Sequence, residues 1–315
     1  MMKKYFSYFL ISISIAALVI IASELIAFAA LEKKYNRKFD KNLLVPMRYF
    51  YTTGMMPNFV TSCWNTSFST NAFGFRTTRT FIPKKKSWLF IGDSVTQGVG
   101  VEDDQVFVSQ LAQEIDSVNV LNCSLIGWSV SDYKNVLEYL IENEENISIQ
   151  RVTIGWCLND IYANNGSKNL PQIGNTGWKR LISDWLNDSS SLFKLIKLFV
   201  TRNSSNYFEY DKQFYDNPLF LRESKQVLQE IQRLCKVNSI DLDVIVFPYK
   251  SQLTNTKPCP TDKLFNQLDI NRINGLREFL AEDHTRKSSI YQFSDEIHFN
   301  EIGHVALSTF LRSRL

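Results

Sequence analysis

The chain opens on an apolar run from about Tyr5 to Leu31, preceded by Lys3 and Lys4 and interrupted by Glu24. A bilayer core takes about 20 apolar residues in a helix, so this run is long enough to span one. The lysines before it predict a cytoplasmic N-terminus, with the remainder in the periplasm or outside the cell. Ala27-Phe28-Ala29-Ala30 also fits a small-residue cleavage site, so a cleaved signal and a secreted product form the rival reading. The length of the run favours an uncleaved anchor. Residues 32–86 are aromatic and polar without a regular period, and read as a membrane-proximal lead that wraps the domain. Five apolar runs follow, at 87–92, 118–123, 151–156, 242–247 and 289–293. They are rich in Val, Ile, Leu and Phe and do not alternate, as in parallel strands covered on both faces. Helical spacing falls between them, at 104–116, 131–145, 220–237, 271–282 and 301–313. Alternating strands and helices predict an α/β fold, a three-layer doubly wound sheet of about five parallel strands behind an N-terminal transmembrane helix. The expected organisation is an anchor at 1–31, the lead at 32–86 and an α/β domain at 87–315 carrying an insertion at 161–219. Within the insertion, Trp178–Leu186 and Leu192–Phe199 are amphipathic. They read either as a lid over a site or as helices that pack on the domain or lie on the membrane surface.

Candidate chemistry collects where the predicted strands end. Trp88-Leu89-Phe90-Ile91 runs into Gly92-Asp93-Ser94-Val95-Thr96-Gln97-Gly98, which puts Ser94 on a strand-to-helix turn. Free amides at such a helix start can hold an oxyanion. A second strand runs into a polar turn that ends at Gly127, whose missing Cβ lets the backbone approach a ligand. A third ends in Asn159-Asp160. Near the C-terminus, Asp295 stands three residues before His298, about one helical turn away. That spacing lets a carboxylate fix one imidazole nitrogen and leaves the other to take a proton. A serine hydroxyl is a weak nucleophile without a base, so Ser94, His298 and Asp295 form a candidate acyl-transfer triad. The Ser94 and Gly127 amides and the Asn159 side-chain amide are candidate oxyanion donors, each able to lower the barrier by roughly 3–4 kcal/mol. Asp93 reads as a structural residue bonding backbone amides, and Asp160 as a loop cap or a substrate contact. Phe247-Pro248-Tyr249-Lys250 ends the fourth strand on the same edge, making Tyr249 and Lys250 candidate substrate contacts.

These four ordered blocks resemble the SGNH (GDSL-type) hydrolases, a family named for its Ser, Gly, Asn and His. On that resemblance Ser94 matches the nucleophile, Gly127 and Asn159 the oxyanion hole, and Asp295 and His298 the Asp-x-x-His block. Asn71-Ala72-Phe73-Gly74-Phe75-Arg76 is similar to a leader in many bacterial members, and the likeness covers roughly 70–315. It implies an SGNH/flavodoxin-like sheet and a serine esterase of short acyl esters, with a cell-envelope glycan suggested by the exterior location. An O-acyltransferase would use the same residues with a sugar hydroxyl as acceptor, and an inactive SGNH-like binding module is the reading from another class. One departure concerns the third block, where the family shows Gly-x-Asn-Asp. Here Cys157 occupies the glycine position and Gly155 lies four residues before Asn159.

The 315 residues, 44% of them hydrophobic, suffice for one large α/β domain and an appendage. A formal net charge of +3, without a basic stripe, gives no reason to expect a nucleic-acid partner. No His/Cys cluster has metal-ligand spacing and no Gly-rich phosphate loop is present, so no cofactor or metal is expected. The five cysteines lack a CxxC pair; Cys63 and Cys259 are the pair that an oxidising compartment would allow to bridge. His304 falls in a helical run and reads as packing or surface, and His284 lies in a charged stretch.

Overall fold

The computed structural model describes residues 2–35, 39–77, 79–162, 186, 189–200, 205–254, 259–282, 290–292 and 295–314. The chain divides into two compact units: Met1–Arg37 with Pro171–Asn203, and Lys38–Leu170 with Ser204–Leu315.

In the first unit, α1 (Met2–Tyr35) is one uninterrupted helix. Its Leu10–Ala29 segment, 20 residues, is long and apolar enough to cross a membrane. Leu18, Ile20 and Ile26 are exposed along it, a surface suited to lipid rather than water. Helix α5 (Ser191–Val200) packs on α1. The Glu24 carboxylate accepts from the Ser191 and Leu192 amides and from the Ser190 hydroxyl. The first amides of a helix have no intrahelical acceptor and carry partial positive charge, so an anion there is stabilising. The one acid in the apolar run is therefore a helix cap. Of the earlier amphipathic stretch in the insertion, all but Leu186 lies outside the described residues.

The second unit begins with two hairpins, β1 (Leu44–Tyr49) with β2 (Thr52–Met55), and β3 (Val60–Cys63) with β4 (Thr66–Ser69). Trp64 and Asn65 both take positive φ, as a two-residue hairpin turn requires. The lead is thus paired structure within the α/β unit, its strands too short to display a period. Thr52 Oγ1 bonds Asp132 at 2.8 Å, and Trp128 Nε1 donates to the Thr53 carbonyl at 2.9 Å.

The main sheet comprises β5 (Lys86–Gly92), β6 (Asn119–Ser124), β7 (Ser148–Trp156), β8 (Asp241–Val246) and β9 (Asn271–Arg272). The order is β6-β5-β7-β8-β9, and every pairing is parallel. Successive side chains of β5 enter opposite cores. Leu89 and Ile91 pack with α4 (Val130–Asn143) and α7 (Pro218–Val237) through Tyr133, Val136, Leu228 and Ile231. Trp88 and Phe90 pack with α3 (Phe107–Glu114), α10 (Leu276–Glu282) and α11 (Glu301–Arg312) through Phe107, Leu111, Leu280 and Leu307. Each such side chain, fully removed from water, contributes about 1.5–3 kcal/mol. The sheet is apolar on both faces, which is why its strands read as unbroken hydrophobic runs. Because β6 and β7 flank β5 on opposite sides, their connections diverge at the carboxyl ends, and a crevice opens there.

Four of the expected strands are present within three residues of their predicted limits; the fifth is not. Asn271 and Arg272 pair with Asp243 and Val244, where the sequence predicted the start of a helix. Tyr291, expected in the last strand, makes one antiparallel bridge to Phe299. A two-residue polar strand carries no periodic signal. It is held by tertiary bonds instead, Arg272 to Asp262 at 2.7 Å and to Asn266 at 2.9 Å. All five cysteines are free thiols, so Cys63 and Cys259 are not bridged.

Candidate active site

The strand-to-helix turn forms as the residues dictate. Asp93 is the N-cap of α2 (Ser94–Gln97), and its Oδ1 accepts the Val95 amide at 2.9 Å. Gly98 closes the helix with φ +81, its amide reaching the Ser94 and Val95 carbonyls. This short helix presses against the sheet: a Cβ on Gly92 or on Gly155 would lie 2.1 Å from Thr96 Oγ1. Gly155 therefore serves the packing of α2, which accounts for a glycine two positions before the motif's usual place.

Ser94 stands at the crevice, 6% exposed. His298 Nε2 lies 2.8 Å from Ser94 Oγ, and His298 Nδ1 lies 2.8 Å from Asp295 Oδ2. The other carboxylate oxygen of Asp295 accepts the Ile297 and His298 amides at 2.8 and 2.9 Å. Burial pushes the Asp295 carboxyl up, but the hydrogen bond and charge of His298 and the two amides outweigh it and hold it below the usual range. Two groups 204 residues apart in sequence are thus brought into hydrogen-bond contact by β5 and the segment before α11.

The oxyanion candidates lie on three separate turns. Among the described residues, the Ser94 and Gly127 amides make no hydrogen bond. Gly127 has φ +83, and a Cβ there would meet nothing within 4 Å, so its outer side is open. Asn159 lies on a short helical turn, Leu158–Ile161, with Nδ2 3.4 Å from Asp93 Oδ2. Asp160 faces inward and its Oδ2 accepts the Cys157 amide at 2.6 Å, a loop cap rather than a substrate contact. Burial, and then the nearby Asp93 charge, push the Asp160 carboxyl well above its usual range. With Cys157 buried at the motif's glycine position, this turn still brings the Asn159 amide to Asp93, whose Oδ2 is 3.2 Å from Ser94 Oγ.

Tyr249 departs from expectation. It is 1% exposed, and its hydroxyl donates to buried Asp211 at 2.7 Å, opposite a second bond from Tyr162. The buried Asp211 carboxyl group needs donors, and the Tyr249 hydroxyl is committed to it, which leaves the ring almost no exposed surface to offer a substrate. Lys250 opens α8 (Lys250–Thr254), its amide bonded to the Glu296 carbonyl at 2.9 Å. His304, expected as packing or surface, is buried and stacked on Phe107, and its Nδ1 accepts the Phe107 amide at the start of α3. Burial lowers its pKa to about 3, which keeps the ring neutral. His284 lies outside the described residues.

Arg76 had no role on spacing alone. It is buried, with all five N–H groups bonded: Nε to Asp103 at 2.7 Å, Nη1 to the Gln97 and Gly98 carbonyls, and Nη2 to the Ser67 and Val101 carbonyls. It thereby satisfies the carbonyls that end α2, a partner no local pattern reveals.

No protein-family model matches the sequence, and no curated protein is similar to it. Solved structures do resemble the chain. A member of the lipolytic G-D-S-L family from Veillonella parvula is 13% identical over 72% of this chain and 97% of that one, with a TM-score of 0.41. A psychrotrophic esterase from a Pseudoalteromonas species is 14% identical over 72% of this chain and 94% of that one, at 0.41. A two-domain esterase active on acetylated mannans is 8% identical over 73% of this chain and 49% of that one, at 0.43.

Proposed function

We propose that the protein is a serine ester hydrolase of the SGNH type, acting on short acyl esters. The single observation that carries this is the unbroken chain Ser94 Oγ, His298 Nε2, His298 Nδ1, Asp295 Oδ2, with a 2.8 Å contact at each of its two hydrogen bonds. His298 takes the Ser94 proton as Oγ attacks the ester carbonyl, and Asp295 stabilises the imidazolium and holds its tautomer. The carbonyl oxygen, now charged, meets the Ser94 and Gly127 amides and the Asn159 side-chain amide. His298 returns the proton to the departing alcohol, leaving an acyl group on Ser94. Water then repeats the sequence, releasing the acid and regenerating the serine. We read α1 as a membrane anchor that places this chemistry outside the cytoplasm, with an acylated cell-envelope glycan as the substrate class.

The test is p-nitrophenyl acetate hydrolysis by the full chain in detergent, beside Ser94→Ala. Turnover lost in the variant supports the assignment. Equal rates in both proteins would overturn it. Addition of a sugar acceptor, with the acylated product measured against free acetate, then separates hydrolysis from transfer.

A further inference from the structure

The oxyanion loop is built so that one amide is left over, and Gln97, a residue of the first block that was given no role on sequence, holds its neighbour. The turn Leu125–Trp128 follows β6. The Leu125 amide donates to the Gly92 carbonyl at 3.3 Å, and the Trp128 amide to the Leu125 carbonyl at 3.1 Å. The Ile126 amide donates to Gln97 Oε1 at 3.0 Å. Only the Gly127 amide of this turn lacks an acceptor among the described residues. Positive φ at the third residue of a turn requires the peptide before it to be flipped relative to a common turn. That flip reverses the Gly127 N–H relative to a common turn, and Gln97 holds the Ile126 amide one residue before it.

Gln97 is 0% exposed, so its amide has no water to bond. Its Nε2 is spent on Met55 Sδ at 3.3 Å, a weak acceptor, while its oxygen takes the loop amide. Gln97 is the last residue of the four-residue helix that begins with Ser94. One turn of helix therefore sets both the nucleophile and, through Gln97, the loop that faces it. On the serine reading above, we propose that Gln97 is a positioning residue of the oxyanion hole. It holds the Ile126 amide so that the next amide, that of Gly127, meets the charge developing on the ester oxygen.

The experiment compares wild type, Gln97→Met and Met55→Leu as full chains in detergent. Active sites are counted by fluorophosphonate titration, so that turnover is expressed per competent molecule. Gln97→Met keeps the side-chain volume and removes the acceptor. It should lower kcat by about tenfold to a hundredfold, as a displaced oxyanion donor does, with KM within about twofold. Inhibition constants for a trifluoromethyl ketone should rise in step with the fall in kcat/KM, and the pH profile should keep its shape because His298 and Asp295 are untouched. Met55→Leu, which removes only the weak partner, should keep wild-type kcat. If Gln97→Met fails to fold, Gln97→Asn, one methylene too short to reach Ile126, carries the same expectation. Unchanged kcat per site, or a loss confined to KM, would overturn the role of Gln97 alone. Absence of Ser94-dependent labelling in the wild type would overturn the serine reading and this proposal with it.

Discussion

Replacing Arg76 by Met keeps an aliphatic stem of similar length and removes all five donors from a buried position. Asp103, itself buried, loses its ion partner and keeps only the Ser69 hydroxyl at 2.5 Å as a side-chain donor. Removing one member of a buried pair costs about 3–5 kcal/mol, because the surviving charge is stranded. The Gln97, Gly98, Ser67 and Val101 carbonyls lose donors as well, and a buried acceptor left unsatisfied costs about 1–3 kcal/mol. The Gly98 carbonyl keeps the Val101 amide and the others partly rehydrate, so the ion-pair loss sets the scale, at about 5 kcal/mol. For a unit of this size 1 kcal/mol moves Tm by about 2–4 °C, so the expected drop is about 10–20 °C. Thermal melts of the full chain in detergent, followed by near-ultraviolet circular dichroism, measure it. Removing both charges, as in Arg76→Met with Asp103→Leu, should cost clearly less than the two single changes added together. A Tm drop below about 3 °C in Arg76→Met, or additivity in the double variant, would refute the claim that this pair holds the end of α2.

Two further outcomes follow from the site and its support. Asn159→Ala should lower turnover by about 10²–10³-fold with little change in KM, and wild-type turnover would mean that another group fills its place in the oxyanion hole. His304 titrates near 6.5 when unfolded and at about 3 when folded, so below pH 6.5 the unfolded chain binds the extra proton. Its stability contribution is full above pH 6.5 and falls by about 1.4 kcal/mol per unit as pH drops toward 3. His304→Gln should remove that part of the acid sensitivity, seen as a shallower loss of stability from pH 6.5 to 4 than in wild type.

The order of strands and helices was legible because the sheet is covered on both faces, and continuous apolar runs follow directly from that burial. The candidates Ser94, Gly127, Asn159, Asp295 and His298 stood out in the sequence because each sits where a strand or loop ends, and their residue types are those that acyl transfer demands. The hairpins at 44–69 were not, since three of their strands have four residues and the register of β1 shifts between Val45 and Tyr49, which leaves no regular period. Nor was β9, whose two polar residues are recruited by Asp243 and Asp262 across the fold.

What the sequence alone determined, then, was four of the five sheet strands, the apolar span of α1 and the candidate reacting groups, because these depend on burial pattern and local chemistry. Contacts between distant segments were decided only in three dimensions. Glu24 becomes the cap of α5, Tyr249 turns inward to Asp211, and His304 closes the start of α3. Arg76 and Gln97 bind the carbonyl and amide groups that shape the catalytic turn and the oxyanion loop. In each case a buried polar group must find its partner, and which partner lies within reach is a property of the folded chain, not of its neighbours in sequence.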